Sequence, residues 1–322
     1  MLAKEIKIDF SRGFPVNVSL FRSGRQIPHY HKNTFEMILC LKGDATVYSM
    51  HEKHLLKPGD IIETDMYDVH SISASDGNTG ENLMASFHFD LTHPVFSAGG
   101  YNLLYYICSS SEASPNQRYQ LNRVKMILLT ILSYYMENSE SKQIIRLSQK
   151  LLSIIREHFQ YYDHINVDEN MYPPEMKDRF ERIMAFMLEN YDQKITMQAI
   201  CDREHISYNY LSRFFKDSSL KTFRNFLHEI RVYHSEHLLL CNPDVSVPDI
   251  SYQVGFSDPK IFYREFRRKH GHTPHRHRIW YRNYNGELTP DIPVTFDENA
   301  DEIRLYMTRL FAEIVSDVIT PK

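Results

Sequence analysis

Apolar and polar residues alternate over much of the first hundred residues with the period of β-strands. Residues 15–20 alternate, residues 35–41 form a continuous apolar run, and residues 83–89 favour a further strand. Gly43-Asp44 and Pro58-Gly59 are turn signals between such segments. Many short strands separated by regular turns predict a small antiparallel β-barrel or jelly roll in this part of the chain.

In the next part of the chain the apolar positions change to helical spacing. The stretches 119–135 and 145–159 each carry an apolar stripe, and a polar break over 137–141 separates them. The pattern predicts an antiparallel helical pair, which either covers the β-structure or forms a dimer interface. A linker is predicted over 166–176, where Pro173-Pro174 marks a boundary.

The remaining residues have helical periodicity almost throughout. They predict helices over about 175–190 and 223–241, and an amphipathic helix in the tail over 303–318. Between them, residues 200–216 and 250–267 repeat one pattern: a short helix, a tight turn, a capping residue, then a second helix with apolar residues and cations in register. The repeat predicts two helix-turn-helix motifs.

Each predicted second helix has a cap, an inward face and an outward face. Ser207 and Asp258 are the N-caps, and Pro259 suits a first helical position. The inward residues are Leu211, Phe215, Phe262 and Phe266. Because the N-terminal part of such a helix enters the major groove, the outward residues are predicted to contact double-stranded DNA, at successive grooves about 34 Å apart.

The predicted DNA contacts fall into two groups. Side chains that reach base edges, as Arg does to guanine and Asn to adenine, are expected from Tyr208, Asn209, Ser212 and Arg213 in the first copy and from Lys260, Ile261, Tyr263 and Arg264 in the second. Phosphate contacts, which add affinity without sequence preference, are expected from Arg267, Arg268 and Lys269.

Charge supports a polyanionic partner for the same region. The net charge of the whole chain is −4, yet residues 176–282 carry 18 Lys and Arg against 13 Asp and Glu, and residues 258–282 carry 8 against 2. The tail over 283–322 is the reverse, with 3 against 8. One cationic module therefore lies between acidic flanks, although a charge cluster alone is equally typical of a solvated surface.

About a quarter of the chain, in its C-terminal half, resembles a known family. Residues 195–278 resemble the DNA-binding region of the AraC/XylS family of bacterial transcription regulators, on Ser207 to Lys216, Arg231, Val254-Gly-Phe-Ser-Asp258, Thr273-Pro274 and Arg278. His205 and His277 depart from the residues usual in that family. The resemblance implies a regulator that activates transcription through contact with RNA polymerase, and we expect it to form a homodimer through the helices over 119–160. Repression without an effector is the alternative.

The N-terminal part resembles a second family. His29-Tyr-His31, Glu36 and Gly43, with a later Pro58-Gly59 and His70, resemble the two signatures of cupin barrels. The resemblance implies an effector pocket formed by His29, His31, Glu36 and His70 for a small molecule, with a carbohydrate as the favoured class. Three imidazoles and one carboxylate also suit a divalent metal, so a metal-dependent cupin enzyme fused to a DNA-binding module is the rival class. These polar residues could also merely satisfy one another.

A run of histidines, His270, His272, His275 and His277, has the composition of a metal site. Its position beside Arg276 and Arg278 favours phosphate contact or a solvated loop instead.

The expected architecture is α+β and multidomain. Residues 1–165 are predicted to form an antiparallel cupin-like β-barrel with the helical pair, residues 177–282 an all-α domain with both motifs, and residues 283–322 an acidic extension packed on the DNA-binding domain or across a dimer. We expect no catalysis and no cofactor. Four scattered cysteines, no signal-peptide core and no apolar run of about 20 residues favour a cytoplasmic protein that does not enter a membrane.

Overall fold

The computed structural model describes residues 2–49, 52–74, 81–97, 108–111, 113–114, 117–137, 140–159, 174–219, 222–283 and 288–319. The chain divides into two compact units. The helical unit is Met1–Ala3 with Tyr162–Asn285, and the sheet unit is Lys4–Tyr161 with Gly286–Lys322. Residues 166–173 of the predicted linker lie outside the described residues. Among the described helices, none has both the length and the apolar character needed to cross a bilayer.

The strands of the sheet unit form two five-stranded sheets. The first has the order β1-β3-β8-β5-β6, made of β1 (Lys4–Glu5), β3 (His29–Tyr30), β8 (His70–Ala74), β5 (Ala45–Ser49) and β6 (Glu52–Leu56). The second has the order β10-β2-β9-β4-β7, made of β10 (Ile292–Val294), β2 (Val16–Arg22), β9 (Leu83–Asp90), β4 (Thr34–Lys42) and β7 (Ile61–Thr64). Neighbouring strands are antiparallel, except that β1 and β3 are parallel.

The described strands form no closed barrel, which corrects one part of the predicted fold. The mixed α+β architecture with a sheet-rich N-terminal part is confirmed. The two sheets instead share a buried apolar cluster, to which β4 and β9 contribute Ile38 and Met84 and β5 and β8 contribute Val47 and Ile72. Packing one sheet face against another buries these side chains without pairing the sheet edges.

The second sheet is buried on both faces. Along β4, Ile38 and Cys40 belong to the cluster between the sheets, whereas Phe35, Met37 and Leu39 belong to a core shared with helices. Because successive side chains point to opposite faces, a strand covered on both sides needs apolar residues at nearly every position. The continuous apolar run over 35–41 follows from this double burial.

Helices cover the outer face of that sheet. They are α1 (Pro94–Ser97), α2 (Arg118–Glu137) and α3 (Lys142–His158). The predicted stripes of α2 and α3 are buried in the core of their own unit, with Val124, Leu128, Leu151 and Leu152 fully covered. Covering the sheet therefore accounts for both stripes, and a dimer interface remains a prediction.

The acidic tail belongs to the sheet unit and not to the helical unit, which corrects the expected packing on the DNA-binding domain, whereas packing across a dimer remains a prediction. β10 extends the edge of the second sheet by pairing with β2, in the register Ile292 to Arg22. The helix α11 (Ala300–Ile319) buries Ile303, Leu310 and Ile314 in the core that α2 and α3 line. Without the tail, the edge of β2 would be unpaired and part of the apolar core of the sheet unit would be exposed, which explains why the tail packs there.

The helical unit contains, among its described residues, α4 (Pro174–Glu189), α5 (Met197–Glu204), α6 (Tyr208–Ser219), α7 (Phe223–Cys241), α8 (Val247–Gln253), α9 (Pro259–His270) and α10 (Pro274–Asn283). The long helix α7 packs against α8 and α9 through Val232 and Leu239. Two buried arginines join α7 to neighbouring segments of the helical unit through hydrogen bonds to backbone carbonyls. Arg231 donates to the carbonyls of Tyr191 and Gln193, each at 2.8 Å, and Arg278 donates to those of Leu239 and Asn242, each at 2.9 Å.

Candidate DNA interface and buried polar cluster

The first helix-turn-helix consists of α5, a turn and α6. His205 ends α5 in the left-handed conformation, with φ of 54°, which explains why glycine or asparagine would suit this position. The hydroxyl of Ser207 accepts a hydrogen bond from the backbone N–H of Tyr210 at 3.2 Å and so caps α6 as predicted. Leu211 and Phe215 are fully buried, in agreement with the predicted inward face.

The second helix-turn-helix consists of α8, a turn and α9. Gly255 in the turn has φ of +88°, and a Cβ there would lie 2.6 Å from the carbonyl oxygen of Tyr191. Asp258 Oδ1 accepts from the backbone N–H of Lys260 at 2.8 Å, and Pro259 is the first residue of α9. Phe262 and Phe266 are fully buried. The local signals of cap, proline and glycine therefore form the expected turn.

The predicted DNA-contacting residues differ in exposure. Eight of them are exposed: Tyr208, Asn209, Arg213, Lys260, Arg264, Arg267, Arg268 and Lys269. Ser212, Ile261 and Tyr263 are only partly exposed, and the latter two pack against the apolar cluster of α7, α8 and α9. Ile261 and Tyr263 thus have a packing role on α9 as well as a predicted contact, and all eleven assignments remain predictions.

One buried carboxylate organises the cations of α9. Glu265 accepts from Arg264 Nε at 2.9 Å and from Arg268 Nε at 2.9 Å, and Arg268 also lies 3.3 Å from Glu229 on α7. Burial alone would raise the pKa of Glu265, but these hydrogen bonds hold it below its usual value. The carboxylate therefore holds Arg264 and Arg268 on the surface of the second recognition helix.

A buried polar cluster lies between the two sheets of the sheet unit. It contains all four predicted effector residues: His29 and His70 pair across β3 and β8, Glu36 lies on β4, and His31 follows β3. Each has at most 6% of its surface exposed. The structure therefore brings the predicted set together.

His88 is a fifth member that the sequence reasoning missed. It pairs directly with Glu36 across β9 and β4, and its Nε2 lies 3.2 Å from Glu36 Oε1. Ser86, two positions earlier on the same face, also donates to Glu36 Oε1. The available signal was a single histidine within the apolar run over 83–89, on the same alternating face as Ser86.

Three histidine rings of the cluster use the same nitrogen, Nδ1, to contact a backbone carbonyl. Nδ1 of His29, His31 and His70 each lies 2.7 to 3.0 Å from a backbone carbonyl, namely those of Ile27, Ile6 and Asp68. Donation from Nδ1 leaves a lone pair on Nε2 in the neutral ring. Nε2 of His70 and of His31 lies 3.0 and 3.5 Å from Glu36 Oε2.

The charges of the cluster are mutually dependent. Burial, reinforced by His70, lowers the pKa of His29 well below its usual value. Burial opposes ionisation of Glu36, yet the histidines, His88 foremost, hold the Glu36 pKa well below its usual range. Burial would likewise lower the pKa of His70, but the Glu36 carboxylate, 3.0 Å from its Nε2, raises it. A carboxylate surrounded by imidazoles can bind hydroxyl groups or a cation.

The donor set of this cluster fits a divalent transition metal. Ligand atoms of His29, His31 and His70 all lie within 4.8 Å of one another, as do those of His31, Glu36 and His88. The Nε2 atoms of His31 and His70 have no hydrogen-bond partner with acceptable geometry among the described residues. Lone pairs that converge on a carboxylate, with each Nδ1 held by a carbonyl, are typical of metal ligands with their supporting hydrogen bonds.

Comparison with known proteins connects the helical unit to a domain family. A family model described as "Helix-turn-helix domain" matches residues 200–278, a segment that begins in α5 and ends in α10. This is the same part of the chain as the resemblance to AraC/XylS regulators. The two capped turns described above both lie within the match.

Three proteins illustrate what the chain is similar to. The HTH-type transcriptional regulator YijO of Escherichia coli is 31% identical over 34% of this chain and 38% of its own length. The lactose operon transcription activator of Staphylococcus xylosus is 25% identical over 46% and 50%. The melibiose operon regulatory protein of Escherichia coli is 22% identical over 51% and 49%. The chain thus spans at most half the length of these relatives.

Together, the domain match and the relatives show a DNA-binding transcription regulator of the helix-turn-helix type, which confirms the predicted class. The relatives that match are named as transcription regulators rather than as enzymes.

Proposed function

We propose that this regulator binds operator DNA through α6 and α9 and responds to a sugar bound at the polar cluster around Glu36. The observation that carries the sugar assignment is the cluster itself, in which one carboxylate and four imidazoles share a space between two apolar-packed sheets. Two relatives named for the lactose and melibiose operons support the same class of effector.

The chemistry of the cluster suits hydroxyl recognition. A sugar hydroxyl both donates and accepts, so Glu36 can accept from one hydroxyl while Nε2 of His31 accepts from another. These atoms are buried, and hydrogen-bonding groups in a buried site discriminate strongly against ligands that leave them unpaired. Binding would stabilise one arrangement of the sheet unit and so change how the DNA-binding domain is presented.

A panel of mono- and disaccharides tests this assignment on the full-length protein. We expect one sugar class to raise the melting temperature and to change the midpoint of a gel shift on DNA upstream of the gene. Glu36→Gln and His31→Asn should weaken the response at least tenfold in sugar concentration. His54→Asn, a partly exposed histidine on β6 outside the cluster, is the matched control. Sugar binding that survives both cluster variants would refute the assigned site.

Metal binding at the same cluster is the second candidate, favoured by the converging Nε2 atoms of His31 and His70. His29, His31, His70 and Glu36 would hold the ion, which would supply a Lewis acid for ligand oxygen atoms. Elemental analysis of protein purified without chelators tests this candidate. Two results together would contradict this candidate. The purified protein would contain well below one equivalent of metal, and wild type and His31→Asn would take up the same amount of added Zn²⁺.

The remaining parts of the proposal concern partners. The outward residues of α6 and α9 contact bases and phosphates, and two copies bind paired or direct-repeat half-sites as a homodimer through α2 and α3, where Tyr119 and Tyr134 are exposed. Activation proceeds through contact with RNA polymerase in the cytoplasm. Light scattering of the full-length protein tests the dimer, and a purely monomeric species on and off DNA would contradict it.

A further inference from the structure

A second cluster of metal-ligating side chains lies in the helical unit, at the contact between three helices. Glu236 comes from α7, His270 is the last residue of α9, and His277 comes from α10. Their ligand atoms all lie within 4.8 Å of one another, and His277 Nε2 is 2.8 Å from Glu236 Oε1. Residues far apart in sequence are thus brought to one point by the packing of the second helix-turn-helix on the linker helix.

The histidine run is not a solvated loop, which corrects the expectation from its sequence. His277 has none of its surface exposed and Glu236 has 4%, so neither side chain is placed to contact a phosphate of DNA. His275 alone in the run is exposed. A buried carboxylate together with buried imidazoles is costly unless a proton or a metal ion compensates its charge.

The state of the side chains suits a metal ion. Nε2 of His270 is buried without a hydrogen-bond partner among the described residues. His270 and Glu236 therefore place an imidazole nitrogen and a carboxylate side by side, two groups that bind divalent metal ions in their deprotonated forms.

His272 supplies the supporting hydrogen bond. Its Nε2 lies 3.0 Å from His277 Nδ1. Because the Glu236 carboxylate accepts, His277 Nε2 donates in the 2.8 Å contact, and a bound metal ion would replace that proton while Nδ1 donates to His272. Metal-binding histidines use their second ring nitrogen in this way, which fixes the tautomer and the ring orientation.

We propose that Glu236, His270 and His277 bind a divalent transition metal ion such as Zn²⁺ and thereby fasten the second recognition helix to the linker helix. Two histidines and one carboxylate are a common zinc donor set. Because α9 carries Lys260 in its first turn and Arg264 near its middle, the ion would stabilise the helix that presents these side chains to DNA.

The test compares full-length wild type, His270→Asn and the matched control His275→Asn. Each protein is stripped with EDTA, and Zn²⁺ is titrated in competition with a chromophoric chelator. The cluster around Glu36 contributes equally to all three proteins, so the difference reports the helical unit. We expect His270→Asn to bind one Zn²⁺ equivalent fewer than wild type in the titration. Loss of a residue that only supports a ligand weakens metal affinity by about 10–100-fold, and loss of the ligand His270 should weaken Zn²⁺ binding at this site by more than that. His275→Asn should retain wild-type binding.

A measurement on the unmodified protein guards against misfolding of the variant. Wild-type crystals soaked in Zn²⁺ should show an anomalous peak between Glu236, His270 and His277. Equal Zn²⁺ stoichiometry in wild type and His270→Asn, or a soaked wild-type crystal without that peak, would overturn the proposal.

Discussion

Arg22 on β2 and Glu302 on α11 form an ion pair, with Nη2 and Oε2 2.7 Å apart. Lys42 on β4 reaches the same carboxylate at 3.3 Å. Although partial burial would raise it, these cations hold the pKa of Glu302 below its usual value. One acidic residue of the tail, Glu302, therefore forms ion pairs within the sheet unit, and α11 is a structural part of that unit.

Leu310→Ala should destabilise the sheet unit by about 2–5 kcal/mol, because Leu310 is 4% exposed and truncation leaves a cavity in the core of α11, α2 and the second sheet. Leu305→Ala on the same helix is the control, since Leu305 is 47% exposed, and should change stability by less than about 0.5 kcal/mol. Urea unfolding followed by circular dichroism measures both. Equal effects would show that α11 does not pack in solution.

Helix bounds and helix caps, which depend on residues close together in the sequence, could be predicted from the sequence. The bounds of α7 and the caps of α6 and α9 follow from signals within four positions, such as Ser207 with Tyr210 and Asp258 with Lys260.

Long-range pairing could not be predicted in the same way. His88 joins Glu36 only because the register of β9 on β4 sets them opposite each other, and that register depends on the whole buried sheet. The tail strand β10 pairs with β2, about 270 residues away, and no local pattern records that choice. Glu236 and His277 likewise meet only through helix packing.

Arg231→Lys should destabilise the helical unit by about 1.5–3 kcal/mol. The guanidinium donates to two carbonyls of the connection between α4 and α5, and an ammonium cannot reproduce that fork. Arg224→Lys, an exposed change on the same helix, should have little effect. Hydrogen exchange in α5 and α7 measures the difference. Identical protection in both variants would remove Arg231 from its structural role.

Arg213→Ala and Arg264→Ala should each cost about 1–3 kcal/mol of specific DNA binding and relax base preference at a different half-site position. Arg267→Ala should instead weaken all sequences alike and reduce the salt dependence by about one phosphate contact. Gel shifts on specific and scrambled duplexes at several salt concentrations separate these outcomes. Arg309→Ala, an exposed arginine of α11, is the control. A uniform loss for all three recognition-helix variants would contradict base recognition by Arg213 and Arg264.

Gly255→Ala should disrupt the second helix-turn-helix far more than Gly271→Ala. Both glycines have positive φ, +88° and +73°, so each alanine carries the strain of a left-handed residue, about 1 kcal/mol. At Gly271 the new Cβ meets nothing within 4 Å, whereas at Gly255 it would lie 2.6 Å from the backbone oxygen of Tyr191. Because a backbone atom must move, we expect Gly255→Ala to cost at least about 3 kcal/mol and to abolish DNA binding. Chemical denaturation and gel shifts measure the pair, and similar losses for both would show that the turn relaxes without disturbing α4 and α5.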